Sequence, residues 1–194
     1  VRSGKATQAG QVITPLFLAW AISVAVAAKV VVRFGFRKTA VAGSLLIATG
    51  TACLALGTAW PSRSRYFFLV GNVIVGLGMG PTSLSYILAV QNVVEWGRRG
   101  AATAAMMFFR TMGGALGVGL LGASLGFELV RRLTAWPGID IGAALRPETH
   151  SRLSAAELHI VQSAMGLSLR DVFLEMLAMA GLALLCSLGL RGGR

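Results

Sequence analysis

The chain has 194 residues, of which 55% are hydrophobic and 13% charged. Its mean hydropathy is +0.72; a soluble domain carries about 25% charged residues, so this composition excludes an ordinary water-soluble globule. The net charge of +11 does not describe a nucleic-acid surface either, because Lys and Arg stand as short punctuation between apolar runs, the pattern of membrane topology.

Taken in order, the opening VRSGKATQAG has no leading methionine and reads as loop sequence, which points to a piece of a longer chain. The uncharged runs Ala6–Ala28, Thr39–Ser62 and Tyr66–Val94 are each long enough to span a bilayer. Five spanning helices are expected, at about Gln11–Val32, Thr39–Trp60, Phe67–Val90, Ala101–Val130 and Val172–Leu190. The expected fold is therefore an all-α integral membrane bundle, one partial transmembrane unit over residues 1–194. The connections Arg33–Lys38, Pro61–Tyr66 and Gln91–Gly100 are too short for domains, so neighbouring helices form antiparallel hairpins. Trp60 and Tyr66 sit at helix ends, where aromatic anchors belong.

Residues 131–171 are expected to form an outer, extracytoplasmic loop. Within it Pro137–Gly138 makes a turn, and Ser154 with Glu157 makes a capping box stapled by Leu153 and Leu158. That signature starts a short amphipathic helix on the outer surface. His150 and His159 lack ligand spacing, and Cys53 and Cys186 fall inside apolar runs, so neither a metal, a cofactor nor a disulfide is expected. Arg33, Arg37, Lys38, Arg98, Arg99, Arg191 and Arg194 crowd three short segments on one side of the expected topology. By the positive-inside rule that side is cytoplasmic, and the C-terminus with it.

The most pointed stretch runs from Gly76 to Gly126. Its second helix carries Arg110, placed by its distance from the hinge roughly 14 Å into a hydrocarbon layer about 30 Å thick. A charge at that depth costs at least about 2.5 kcal/mol and must face protein or water. Met106, Met107, Gly113 and Gly114 share its face, with Thr103 and Gly117 a turn further, so close approach of a neighbour or a cavity is expected there. The Gly113–Gly117 and Gly122–Gly126 spacings support tight packing in this helix, or dimerisation. Arg110 is either a positive element of a pathway or gate, or a charge satisfied by carbonyls that ties helices together. Glu175 lies nearer the outer face, and the two are not expected to meet.

In the third helix Asn72, Gly76, Met79, Ser83 and Tyr86 fall on one narrow stripe at 100° per residue. Two readings stand: the wall of a translocation cavity, or polar glue between helices. Gly76, Gly80 and Pro81 suit a hinge with close backbone approach. Catalysis finds no foothold, since no nucleophile–base grouping or phosphate loop sits in or beside a span.

Several of these stretches resemble the C-terminal part of the fourteen-helix drug–proton antiporters of the major facilitator superfamily. Ala9–Gly10 before a proline-bearing helix looks like the start of that family's tenth helix. Arg33, Gly35, Arg37 and Lys38 look like the second copy of its basic inter-helix motif, with Val32 where the family has an acidic residue and Ala28 where it has glycine. Gln91–Asn92, Gly100 to Thr103, and Phe108 to Gly114 look like its junction between helices twelve and thirteen. The resemblance implies two six-helix bundles alternating access around a midplane site. It also implies an amphipathic small-molecule substrate, and protons coupled through carboxylates outside this chain. Asn72, Ser83, Tyr86, Gln91, Asn92 and Arg110 then become candidates for the transport path or gate. The rival reading is a non-transporting integral membrane subunit that assembles through its glycine-rich helix faces.

Overall fold

The computed structural model describes residues 6–60, 64–134 and 155–190. Among these the regular structure is helical: α1 (Ala6–Phe34), α2 (Phe36–Ala59), α3 (Ser64–Val93), α4 (Arg99–Thr134) and α5 (Ala155–Leu188), with a 3-10 turn, Trp96–Arg98, before α4. Five helices are long and apolar enough to cross a membrane. The shortest, α2 with 24 residues, reaches about 36 Å at 1.5 Å per residue, enough for a hydrocarbon core of about 30 Å. The chain is thus an all-α membrane bundle, as its hydropathy requires.

Helix ends run further than the apolar runs suggest. A single residue, Gly35, separates α1 from α2, at a φ of 82°. That left-handed value is open to glycine without a Cβ clash, which is how a connection shrinks to one residue. Gln91 and Asn92, expected in a hinge, form the last turn of α3. The expected short surface helix and last span are one continuous element, from Ala155 to Leu188. Arg170 and Asp171 interrupt hydropathy there but not helix propensity, so the apolar boundary and the helix boundary part company. The Pro137–Gly138 turn, the Ser154 cap and His150 lie outside the described residues.

The bundle is organised around α3, which packs on α2 with one face and on α1 with another. Toward α2 the contact is made by two rows of small residues at seven-residue spacing: Gly43, Gly50 and Gly57 on α2, and Ser64, Gly71 and Gly78 on α3. The helices are antiparallel, and the rows face each other one to one. A Cβ built on Gly78 would lie 2.6 Å from the Gly43 carbonyl oxygen, one on Gly43 2.8 Å from that of Gly78, and one on Gly50 2.9 Å from that of Gly71. Toward α1, which runs parallel to α3, Gly76 faces the backbone of Leu16 and Trp20, and Gly80 that of Ser23 and Val24. Ser23 Oγ donates to the Gly76 carbonyl at 3.1 Å. Lipid offers apolar side chains no gain from leaving it, so backbone approach through small residues carries the association.

This corrects the expected packing site. Gly113, Gly114 and Gly117 have nothing within 4 Å of a built Cβ, and the same holds for Gly122 and Gly126. Gly43, which stands in no row of four-residue spacing, is closely packed. The GxxxG pairs of α4 are open because none of the other described helices covers that face. α4 meets α5 through its last turns, where Leu129 and Leu133 pack on Val161, Ala164 and Met165.

Candidate functional site: a basic recess at one end of the bundle

At the end where α1 and α3 finish and α2 and α4 begin, a recess of about 630 Å³ gathers several of the residues singled out from sequence. Arg33, Gly35 and Lys38 line it from the α1–α2 junction, Gln91 and Asn92 from the last turn of α3, and Arg99 from the start of α4. The fourth basic motif residue, Arg37, turns elsewhere: its Nη2 donates to the Leu188 carbonyl at 3.0 Å. A guanidinium at a helix C-terminus satisfies a carbonyl that has no partner within the helix and complements the dipole. The α5 C-terminus is thereby fastened to the α1–α2 junction. Val31, Phe36 and Ala89 form an apolar cluster beneath this end, with Leu84, Leu88 and Leu190 packed against it. Gln91 Nε2 donates to Thr103 Oγ1 at 3.2 Å, which ties α3 to the start of α4.

The midspan candidates are not brought together into one cavity. Asn72 Nδ2 donates to Phe68 O in its own helix at 2.9 Å. Tyr86 Oη reaches Ala183 O of α5 at 3.5 Å and faces an apolar crevice of about 390 Å³ shared with Phe36, Val90, Val93 and Leu190. Ser83 is half-buried. Pro81 sits within α3, which continues through it as one helix. Arg110 is exposed on α4, and no hydrogen bond or ion pair reaches it among the described residues. Met107, Gly113 and Gly114 on its face are also exposed.

Sequence reasoning missed a polar cluster near the opposite end. Arg132 pairs with Asp171 at 2.5 Å and with Glu128 at 3.6 Å, and Arg131 pairs with Glu128 at 2.7 Å. One turn along α5 from Asp171, Glu175 accepts from Ser124 Oγ at 2.5 Å. The i,i+4 spacing of Glu128 and Arg132 was visible in the sequence; the link to Asp171 and Glu175 needed α5 to run unbroken beside α4. Ser124 lies 14 residues beyond Arg110, about 21 Å along the helix axis, so Glu175 does not serve Arg110. Arg131 is well exposed, and its pair with Glu128 contributes at most about 1 kcal/mol. Within the described residues there is no group of three His, Cys, Asp or Glu that could hold a metal ion.

No family model matches the chain. Similarity to individual proteins is informative. Over 118 residues the chain is 30% identical to the multidrug transporter protein MdtP of Bacillus subtilis (strain 168), covering 61% of this chain and 21% of that protein. Over 192 residues it is 30% identical to the MFS-type transporter ltbE of Aspergillus luteorubrus, covering 96% of this chain and 35% of that protein. These two matches support reading the chain as part of a major-facilitator-type transporter. It spans about a third of the length of one of these relatives and a fifth of the other. The likeness drawn from the basic motif and the Gln91–Gly114 region is thus borne out at the level of the superfamily. The basic recess lies where the α1–α2 junction meets the α3–α4 junction.

Proposed function

We propose that this chain supplies five spanning helices of the second bundle of a fourteen-helix, proton-driven exporter of amphipathic small molecules. The observation that carries the reading is α4: an apolar helix of 36 residues whose middle, with Arg110 and a glycine-rich face, is left uncovered by the other four helices. A charge in a span needs protein or water beside it. In an alternating-access carrier that is the helix lining the path between the two bundles, with Arg110 as its positive element and Asn92 and Gln91 at its gate end. Transport, not catalysis, is the activity. Among the carboxylates of the described helices, Glu128 near the end of α4 and Asp171 and Glu175 midway along α5 are engaged in ion pairs or hydrogen bonds, and Glu157 stands in the first turn of α5. Proton coupling is therefore assigned to helices beyond this chain.

The test is export by the complete carrier in proteoliposomes. A lipophilic fluorescent cation should move against its gradient when a pH gradient is imposed, and movement should stop when a protonophore collapses it. A purified carrier that binds such cations but never moves them would favour the assembly-subunit reading.

Orientation follows from the recess end, which carries Arg33, Arg37, Lys38, Arg98 and Arg99. This end is assigned to the cytoplasm, in a bacterial-type plasma membrane, with the C-terminus inside. A reporter fused after Arg194 should be active only if it is of cytoplasmic type, and one inserted near Thr149 only if it is of periplasmic type. The reverse pattern would overturn the assignment.

A further inference from the structure

We infer that the basic recess binds the phosphate headgroup of an anionic phospholipid. Three cationic residues, Arg33, Lys38 and Arg99, line one cavity of about 630 Å³, and no carboxylate is among its lining residues. None of the three is in an ion pair among the described residues. This sets them apart from Arg37, spent on the Leu188 carbonyl, and from Arg131 and Arg132, spent on carboxylates. Like charges gathered without a counter-charge repel one another, and an anion between them relieves that repulsion.

Backbone geometry adds a second set of donors. The α2 N-terminus opens into the same recess through Gly35 and Phe36, and Gly35 makes no side-chain cap hydrogen bond. The first-turn N–H groups of that 24-residue helix are therefore left for an external acceptor, and a helix N-terminus favours phosphate.

The shared chemistry is a phosphate group, and its source is settled by the walls. Beside the cations the recess is lined by Val32 and Phe34, which are 89% and 55% exposed. These side chains present an apolar outer surface right at the mouth of a cationic site, which suits a phosphate that carries acyl chains and not a free one. The site sits at the end of the bundle where anionic headgroups lie if the expected orientation holds. Its existence does not depend on what the carrier transports.

The experiment uses the complete transporter, purified in detergent and titrated with short-chain phosphatidylglycerol or phosphatidylcholine, with bound lipids counted by native mass spectrometry. Wild type should retain phosphatidylglycerol in preference to phosphatidylcholine. A Lys38→Gln/Arg99→Gln double variant should bind phosphatidylglycerol roughly tenfold more weakly or worse, since each basic residue near an anionic headgroup is worth about a factor of five. Arg65→Gln/Arg98→Gln removes the same charge from positions outside the recess and should bind as wild type. If the recess double variant does not fold, Lys38→Gln alone should show a several-fold loss. Equal retention of the two lipids would overturn the inference, as would an unchanged double variant or an equal loss in the control. Displacement of phosphatidylglycerol by millimolar inorganic phosphate would overturn the lipid as occupant and leave a free-phosphate site.

Discussion

Replacing Gly43 or Gly78 by leucine should abolish accumulation of folded protein, while Gly113→Leu should be tolerated far better. At Gly78 even a Cβ meets the Gly43 carbonyl at 2.6 Å and the Ile47 amide nitrogen at 2.9 Å. Those are backbone atoms of a neighbouring helix, which move only if the helix moves. Overpacking of well-packed sites costs about 1–3 kcal/mol, occasionally more, and leucine adds three further carbons behind that Cβ. A loss of about 3 kcal/mol or more at a single contact is comparable to a large share of a domain's total stability. Gly113 meets nothing within 4 Å, so the same substitution adds apolar surface to a face that none of the other described helices touches. The measurement is the monodisperse fraction after detergent extraction, followed by thermal unfolding of each variant. Equal yields at Gly43 and Gly113 would remove the seven-residue rows as the organising contact of the bundle. A lower yield at Gly113 than at Gly43 would show that helices outside this chain press on α4 more tightly than α2 presses on α3.

The second large effect is expected at Arg110 of the complete carrier. Arg110→Ala should eliminate export while leaving insertion and folded yield near wild type. Removing a charge from the middle of a span lowers the insertion cost by at least about 2.5 kcal/mol. No hydrogen bond or ion pair among the described residues is lost with it, so the described bundle supplies no reason for the variant to fold worse. Arg110→Lys should restore transport only in part. The guanidinium is a planar fork that can satisfy several acceptors in one geometry, whereas an ammonium is a point charge on a flexible stem. Transport per folded molecule decides the matter. An alanine variant that exports at the wild-type rate would leave Arg110 without a role in the path, and one that loses yield first while its remaining activity per molecule is normal would make it a structural tie.

These two residues mark the line between what sequence makes legible and what it does not. The membrane class, the number of spans and the hairpin order follow from hydropathy and loop length, because a bilayer imposes a fixed span and forbids exposed backbone. The basic junctions, the Gln91–Asn92 pair and the Arg33–Lys38 motif were legible as well, because each is a local pattern of charge at a helix end. Their convergence on one recess was not: Arg33, Asn92 and Arg99 stand on different elements, and only the packing of α1, α2 and α3 with the start of α4 places them around one space. Arg37 shows the limit of the motif itself, since the sequence groups it with its neighbours while the structure turns it to the end of α5.

Glycine is where the sequence alone pointed to the wrong helix. GxxxG pairs in α4 carry the familiar spacing, yet they lie open, while Gly43, Gly50 and Gly57 carry the contact at a seven-residue interval. Spacing says which residues share a face of a helix. It does not say whether another helix arrives at that face, nor at what angle, and a seven-residue row stays in contact only when the two helices cross at a small left-handed angle. The continuity of α5 was decided in the same way: Asp171 and Glu175 look like the edge of a span until Arg132 and Ser124 of α4 satisfy them from the side. By itself the sequence determined the solvent, the spans and the charged ends, all of which depend on one-dimensional patterns of transfer free energy. The tertiary structure decided which small residues touch, which charges are paired and which remain free, because those depend on the meeting of residues far apart in the chain.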